Sequence, residues 1–230
     1  MSLYTIGDLH LAMSSDKPMD VFGDAWKEHD KRLAAGFSAL KEDDVTVLCG
    51  DLSWAMSLEE AREDFLWIHR LPGRKILLKG NHDYWWTTAA KMNRFFRDNG
   101  IDTLEILHNN CYFYGDTALC GTRGWFYEED SGDAHARKVF LRELIRLEAS
   151  LKAAGEREIF CFLHYPPLAE RYECAEILEL LQKYRVKRCY YGHLHGPRSH
   201  RSAVDGLYGG IEFHLVSADY LDFRPLKILE

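Results

Sequence analysis

The sequence predicts an α/β fold in which two packed, mixed β-sheets are flanked by helices. Short apolar segments alternate with helical segments before residue 100 and again after residue 133. Between these two regions, short strands follow one another with only brief turns, which is typical of antiparallel pairing. Strand–helix alternation on both sides of such a group predicts two sheets covered by helices. The sequence contains no linker or internal repeat, so we expect one domain over residues 1–230.

The predicted strands are short apolar runs, several of them followed by a glycine turn. They cover residues 3–6, 45–49, 75–79, 103–107, 111–114, 117–120, 158–163, 188–191 and 211–216. The predicted helices have apolar residues at helical spacing and polar residues that can cap the first turn. They run from Asp24 to about residue 40, from the capping box of Ser57 and Glu60 to about 69, from Thr87 or Thr88 to 99, from Asp133 to about 154, and from 173 to 184.

The composition excludes some classes of partner. With 47% apolar and 28% charged residues, the chain is an ordinary globular protein. A net charge of −7 argues against long DNA or RNA as a ligand, because proteins that bind nucleic acid usually carry a basic surface. No apolar run approaches the length of a membrane span, and residues 1–10 enter a strand pattern without a leader-like segment. We therefore expect a cytoplasmic protein without a membrane partner.

The six cysteines do not suggest a metal site or a disulfide framework. They are Cys49, Cys111, Cys120, Cys161, Cys174 and Cys189. None forms a C-x-x-C pair, and most lie in apolar runs that are predicted strands. Buried, reduced thiols are therefore expected, rather than zinc ligands or disulfides.

Polar residues that can bind metal directly follow five of the predicted strands. The five segments read GDLH, GD, GNHD, LHYPP and GHLHG. Any one of them could be a polar turn, but sheets with crossover helices gather strand ends in one crevice, so we expect convergence. The converging side chains would be those of Asp8, His10, Asp51, Asn81, His82, Asp83, His164, His193 and His195. Oxygen and imidazole ligands without cysteine suit Mn, Fe or Zn.

These five segments, in this order from Asp8 to His195, resemble the pattern of the calcineurin-like metallophosphoesterases. That pattern is D-x-H, G-D, G-N-H-D/E, a lone histidine and G-H-x-H. The resemblance implies an α/β/β/α sandwich with two divalent metal ions. It implies that one metal is held by Asp8, His10, Asp51 and His195, and the other by Asp51, Asn81, His164 and His193. His82 would then donate a proton or stabilise the transition state, with Asp83 as its orienting partner.

A count of charges shows that this implied site suits a phosphate ester. Asp8, Asp51 and a bridging hydroxide would cancel three of the four positive charges on two divalent ions, which leaves the pocket positive. We therefore expect hydrolysis of a small phosphodiester or phosphomonoester, by in-line attack of a metal-bridging hydroxide and protonation of the leaving alcohol by His82. Two alternatives remain open. One is a nuclease, which would need a basic groove, and the other is a non-catalytic binding scaffold that retains the fold.

Three residues are candidates for substrate contact. Arg123 leaves a predicted strand where a phosphate-binding arginine could enter the cleft, and Arg198 follows the last histidine segment. Solvated surface arginine is the alternative for both. Trp85 follows the GNHD turn and could stack on a substrate, or pack beneath the metal site. The same choice applies to the other aromatic residues near these turns, which are Trp54, Trp86, Trp125, Phe126 and Tyr127. The acidic run 128–130 is expected to be a solvated loop.

Overall fold

A computed structural model describes residues 1–14, 17–126 and 132–230. Tyr127 and the acidic run 128–130, discussed above, lie outside the described residues. In the described part, the α-helices are α1 (His29–Phe37), α2 (Arg62–Arg70), α3 (Ala89–Asp98), α4 (Ala134–Lys152), α5 (Ala175–Lys183) and α6 (Gly196–Ser202). The strands are β1 (Leu3–Ile6), β2 (Val45–Leu48), β3 (Arg74–Leu77), β4 (Leu104–Ile106), β5 (Cys111–Tyr114), β6 (Thr117–Thr122), β7 (Glu158–Leu163), β8 (Leu168–Ala169), β9 (Tyr172–Glu173), β10 (Arg188–Tyr191), β11 (Gly206–Tyr208), β12 (Ile211–Leu215) and β13 (Leu226–Leu229).

The chain divides into two compact units. The first unit comprises Met1–Ile106 and Val216–Glu230, and the second comprises Leu107–Leu215. Each unit has its own sheet and its own buried apolar cluster. The expectation of one domain over residues 1–230 stays a prediction.

The first unit is built on a five-stranded sheet in the order β13-β1-β2-β3-β4. Strands β1 to β4 are parallel, and β13 pairs antiparallel with β1 at the edge. Strands β1 and β2 are almost completely buried, in agreement with their continuous apolar sequence. Because β1, β2 and β3 are adjacent and parallel, the segments that follow them emerge at the same edge of the sheet.

The second unit is built on a six-stranded sheet in the order β11-β12-β10-β7-β6-β5. Its four central strands are parallel, and an antiparallel strand closes each edge. Strands β7 and β10 are neighbours, so the two histidine segments that follow them also emerge at one edge. Helices α4 and α5 contribute buried side chains to the apolar cluster of this unit.

Three local predictions need correction. Strand β4 was expected in an antiparallel meander, but it pairs parallel with β3 because α3 acts as a crossover between them. The helix expected from Asp24 begins only at His29, since Glu28 has a left-handed backbone with φ 49° and separates it from a short 3₁₀ turn. Ser57 and Glu60 do make cap-like hydrogen bonds, but α2 starts later, at Arg62.

The predicted helix caps and the buried, reduced cysteines are confirmed. Thr88 caps α3 and Asp133 caps α4, each by accepting a hydrogen bond from a backbone N–H in the first turn. All six cysteines are free thiols, and five of them are buried. Among the described residues, no helix is both long and apolar enough to cross a membrane.

Lys75 is a buried cation in the first unit. Its ammonium group is fully buried and donates to the carbonyl oxygens of His69, Leu71 and Gly73 at 3.2, 2.6 and 2.7 Å. These carbonyls belong to the end of α2 and the turn after it, where backbone acceptors lack helical partners. Burial lowers the pKa of Lys75 to about 8. The side chain therefore joins β3 to the end of α2.

We expect Lys75→Met to lower the free energy of unfolding by about 2–4 kcal/mol, because three buried carbonyl groups lose their donor. The folded-state pKa of about 8 lies below the ordinary value of 10.5, so between these values the unfolded chain binds more protons. Wild-type stability relative to the variant should then rise with pH across this window. Denaturant titrations across the window would measure both effects. The exposed Lys91→Met variant is the control, and equal stability of the two variants would contradict the assignment.

Candidate metal centre

Three turns of the first unit carry the predicted ligands. Asp8 and His10 follow β1, Asp51 follows β2, and Asn81 and His82 follow β3. Backbone hydrogen bonds join the first two turns, since the N–H of Asp8 donates to the carbonyl of Gly50 at 2.8 Å and that of His10 to the carbonyl of Asp51 at 2.9 Å. The hydrogen bonding between the parallel strands therefore continues into the turns that follow them.

Asp8 and Asp51 form a buried pair of carboxylates. Both side chains are at most 1% exposed, and their nearest oxygens lie within 4.8 Å of each other. A ring nitrogen of His10 lies within the same distance of the Asp8 carboxylate, and its Nε2 is 3.7 Å from Asp51 Oδ2. Two carboxylates this close and this deeply buried repel each other unless a cation lies near them. The donor set of carboxylate oxygens and imidazole therefore fits a divalent metal ion.

Several predicted ligands have an unusual backbone conformation. Asp8, His10, Asp51 and His193 have φ values of 60°, 46°, 51° and 71°, in the left-handed region that non-glycine residues rarely occupy. Such strain is kept only where the surrounding structure enforces it, and it concentrates at functional sites. The sequence does not display this feature, because the residue types at these positions are not glycine.

The Asp83 carboxylate holds the turns after β2 and β3 together. It is fully buried and accepts hydrogen bonds from the backbone N–H groups of Gly80, Asp51, Leu52 and Ser53 at 2.7, 2.9, 2.8 and 3.4 Å. The indole Nε1–H of Trp85 is a fifth donor, at 3.0 Å. Burial raises the pKa of Asp83 to about 6, although the backbone hydrogen bonds act in the opposite direction.

This arrangement changes the role predicted for Asp83. We expected its carboxylate to orient the His82 ring, but none of its five donors belongs to His82. Its oxygens face the backbone of two ligand-bearing turns instead. Asp83 therefore acts on Asp51 through the main chain and does not contact the reacting groups.

Gly80 is required for a close approach of backbone to ligand. A Cβ at this position would lie 2.0 Å from Asp51 Oδ1 and 2.2 Å from Asp51 N, distances that exclude any side chain. The glycine in GNHD is thus explained by packing between the two turns.

His82 is held by contacts to its backbone and its ring. Its backbone N–H donates to Asp51 Oδ1 at 2.8 Å, and the Tyr84 hydroxyl lies 3.4 Å from its Nδ1. The Trp54 ring lies against His82, with centroids 4.6 Å apart, and stacks on His10 at 4.9 Å. Sequence analysis missed Tyr84, although its position two residues after His82 is a usable signal.

The second unit carries the other predicted ligands on two connected turns. His164 is fully buried, and its N–H and that of Tyr165 donate to the carbonyl of Arg123 at 3.1 and 2.8 Å. The N–H of Gly192 donates to the His164 carbonyl at 3.0 Å. The rings of His164 and His193 lie 5.2 Å apart between centroids. Within this unit the structure therefore brings these two histidines together.

The three substrate candidates have different environments. Trp85 is only 2% exposed and packs edge-on against Phe65 in the core of the first unit, so it does not reach a substrate. Packing beneath the turn, the alternative interpretation, is correct for this residue. The Arg123 guanidinium lies over the Tyr165 ring at 5.6 Å. Arg198 is exposed on α6, which begins directly after His195.

The sequence matches the model of one protein family, described as calcineurin-like phosphoesterase, over residues 1–197. The chain belongs to that family. Family membership confirms the predicted fold class and makes the protein a metal-dependent phosphoester hydrolase. A comparison with curated proteins gave no match.

Solved structures with the same fold include three of low sequence identity. One is a phosphopantetheinyl hydrolase from Mycobacterium tuberculosis, with TM-score 0.60 and 16% identity, covering 99% of this chain and 95% of that one. A protein of unknown function from Aquifex aeolicus, AQ665, has TM-score 0.55 and 17% identity, with coverage of 98% and 95%. TT1561 of Thermus thermophilus has TM-score 0.53 and 10% identity, with coverage of 99% and 97%.

We expect Asp83→Asn to destabilise this phosphoesterase by about 2–4 kcal/mol, because one acceptor oxygen becomes an NH₂ group that faces N–H donors. Affinity for Mn²⁺ should fall as well, since the turn that carries Asp51 loses its support. Denaturant unfolding of the metal-free protein and Mn²⁺ calorimetry would measure the two effects. Asp98→Asn, an exposed carboxylate on α3, is the control. An Asp83→Asn protein with unchanged stability would show that the network is dispensable.

Proposed function

We propose that this phosphoesterase uses two divalent metal ions, Mn, Fe or Zn, to hydrolyse a small phosphodiester or phosphomonoester. The proposed metal ligands are Asp8, His10, Asp51, Asn81, His164, His193 and His195. The observation that carries the proposal is the buried pair of Asp8 and Asp51 with His10 beside it. The first unit thus offers charge and donor atoms that suit a cation, as the family membership requires.

When bound, two divalent ions supply positive charge for the phosphate oxygens and lower the pKa of a water molecule toward ~7. The chain itself fixes the ligand geometry. Asp51 is held by the N–H of His82 at Oδ1, by Gly80 packed against its carboxylate, and by Asp83 at its backbone N–H. Such preorganisation limits how far the carboxylate can move when the charge on the substrate changes.

His82 is the proposed general acid. As an imidazolium, the His82 ring carries a proton on each nitrogen. Its Nδ1–H can donate to the Tyr84 oxygen, and its Nε2–H would protonate the leaving alcohol, which returns the ring to its neutral form. The ring is half-buried beside Trp54, so part of it is available to a substrate. Tyr84 is 53% exposed and can follow small movements of the ring.

A small substrate suits the charge of this protein better than a polynucleotide does. The net charge of −7 disfavours the counterion-releasing contacts on which long nucleic acids depend. A protein named as a phosphopantetheinyl hydrolase shares this fold, which supports an organic phosphate ester as the substrate class. We therefore place nucleases second.

The dinuclear centre predicts a defined metal content. Protein reconstituted with Mn²⁺ should hold two ions per chain by plasma mass spectrometry, Asn81→Ala should hold about one, and Asp51→Asn should lose both. Hydrolysis of p-nitrophenyl phosphate or bis-p-nitrophenyl phosphate should disappear with a chelator and return with Mn²⁺. The faster of the two substrates identifies a monoesterase or a diesterase. One ion per wild-type chain would contradict the dinuclear proposal. The control is His135→Gln, which changes an exposed histidine and should keep the wild-type metal content.

Substitution of His82 should slow hydrolysis most for esters with poor leaving groups. We expect His82→Gln to lower kcat by about 10²–10⁴-fold for a phenyl ester, because phenolate needs protonation as it leaves. The loss should be smaller for the matching p-nitrophenyl ester, whose leaving group departs without a proton. Metal content should remain unchanged. Equal losses on both esters would assign His82 to transition-state charge stabilisation instead of proton transfer.

A further inference from the structure

A cavity of about 760 Å³ lies in the second unit beside the turn that carries His193 and His195. Leu194, between these two proposed ligands, lines the cavity, and so does Phe126. The edge-to-face contact of Phe126 with the His193 ring has a centroid distance of 5.5 Å. A group bound in this cavity would therefore lie next to the proposed metal ligands of the same unit. The volume is in the range of pockets that hold small organic ligands, ~300–1,000 Å³.

The walls of the cavity are connected to each other. One wall is the hairpin of β8 and β9, and the other is α6. The N–H of Glu170 donates to the carbonyl of Ser202 at 2.8 Å, and Ala169 forms a β-bridge with Ala203. These bonds join the hairpin to the end of α6, so the cavity exists without a ligand to shape it.

The inner surface combines aromatic rings with positive charge. Phe126 and Tyr172 pack edge to face at 4.8 Å, and the Tyr172 hydroxyl donates to the carbonyl of Trp125 at 3.2 Å. Two exposed arginines, Arg171 on the hairpin turn and Arg198 on α6, also line the cavity. The aromatic rings can contact a flat or apolar group, while the guanidinium groups attract an anion.

The two arginines at the cavity are not neutralised by an ion pair with a described carboxylate, unlike some other arginines of this unit. Arg146 and Arg188 form salt bridges with Glu143 and Glu212. Within residues 1–14, 17–126 and 132–230, no carboxylate forms a salt bridge with Arg171 or Arg198. Glu170 also lines the cavity, so its charged lining of two arginines and one glutamate is net positive. In a chain with 36 acidic and 29 basic residues, a positively charged cavity indicates a site for an anionic ligand.

We propose that this cavity binds the part of the substrate that is not cleaved, and that this part carries a second phosphate group. Arg171 and Arg198 bind that phosphate, and Phe126, Tyr172 and Leu194 contact the body that joins it to the scissile phosphate. The inference rests on the proposed function, because the scissile phosphate is taken to lie at the metal ligands. It narrows the substrate class to small esters with two phosphates.

A matched pair of chromogenic esters tests the proposal. The substrates are the p-nitrophenyl ester of thymidine 5′-phosphate and the same ester with an added 3′-phosphate. We expect kcat/KM of the Mn²⁺-loaded wild type to be about tenfold higher for the compound with the second phosphate. In the Arg171→Gln/Arg198→Gln double variant this ratio should fall to about one. Arg201→Gln, which removes an exposed arginine of α6 that does not line the cavity, should keep the wild-type ratio.

Calorimetry gives a readout that does not depend on catalysis. Thymidine 3′-phosphate should bind the wild type and Arg201→Gln about tenfold more tightly than thymidine does, and the double variant should lose that difference. A wild-type ratio of one in both experiments would overturn the cavity assignment and leave the phosphoesterase proposal intact. Absence of hydrolysis of both thymidine esters, of bis-p-nitrophenyl phosphate and of the monoester p-nitrophenyl phosphate would overturn the proposed function. The calorimetric difference would still decide whether the cavity binds a phosphate.

Discussion

The first unit depends on the buried carboxylate of Asp83. A buried anion is costly unless hydrogen-bond donors surround it, and here five N–H groups do so. Because those donors come from the turns after both β2 and β3, the carboxylate fixes one turn against the other. The contact of Gly80 with Asp51 and the hydrogen bond from His82 to Asp51 both need that arrangement. A residue that has no hydrogen bond to the His82 ring thereby positions Asp51, the proposed bridging ligand, and the proposed acid His82.

The second unit supports its ligands in a comparable way, through backbone groups instead of a carboxylate. The carbonyl of Arg123 accepts from the turn that carries His164, and the carbonyl of His164 accepts from Gly192 at the start of the next histidine segment. In both units the proposed ligands follow parallel strands, and main-chain hydrogen bonds continue from the sheet into the neighbouring turns. Left-handed backbone conformations at several proposed ligands show that these hydrogen bonds hold a strained backbone in place.

The charge distribution connects the proposed chemistry to the substrate. The protein is acidic as a whole, and the buried carboxylates of Asp8 and Asp51 favour cations at the proposed metal centre. Positive charge from bound metal and from Arg171 and Arg198 would then lie where the proposed substrate binds. The net negative charge of the chain disfavours polynucleotides, whose charge extends well beyond one small pocket. On the proposed function, this contrast between local and overall charge would favour small anions.

The sequence by itself determined most of the sheet-forming segments and the family, and it supplied the proposed ligand positions, because short buried strands and strand-end ligand motifs are local patterns. It also indicated the caps at Thr88 and Asp133, which depend on residues three apart. Only the tertiary structure decided that β4 joins the first sheet, because strand pairing depends on partners distant in sequence. The same reason explains why the sequence paired Asp83 with His82 and left Trp85 open between substrate contact and packing. Their true partners, the backbone of residues 51–53 and the Phe65 ring, become neighbours only when the sheet has formed.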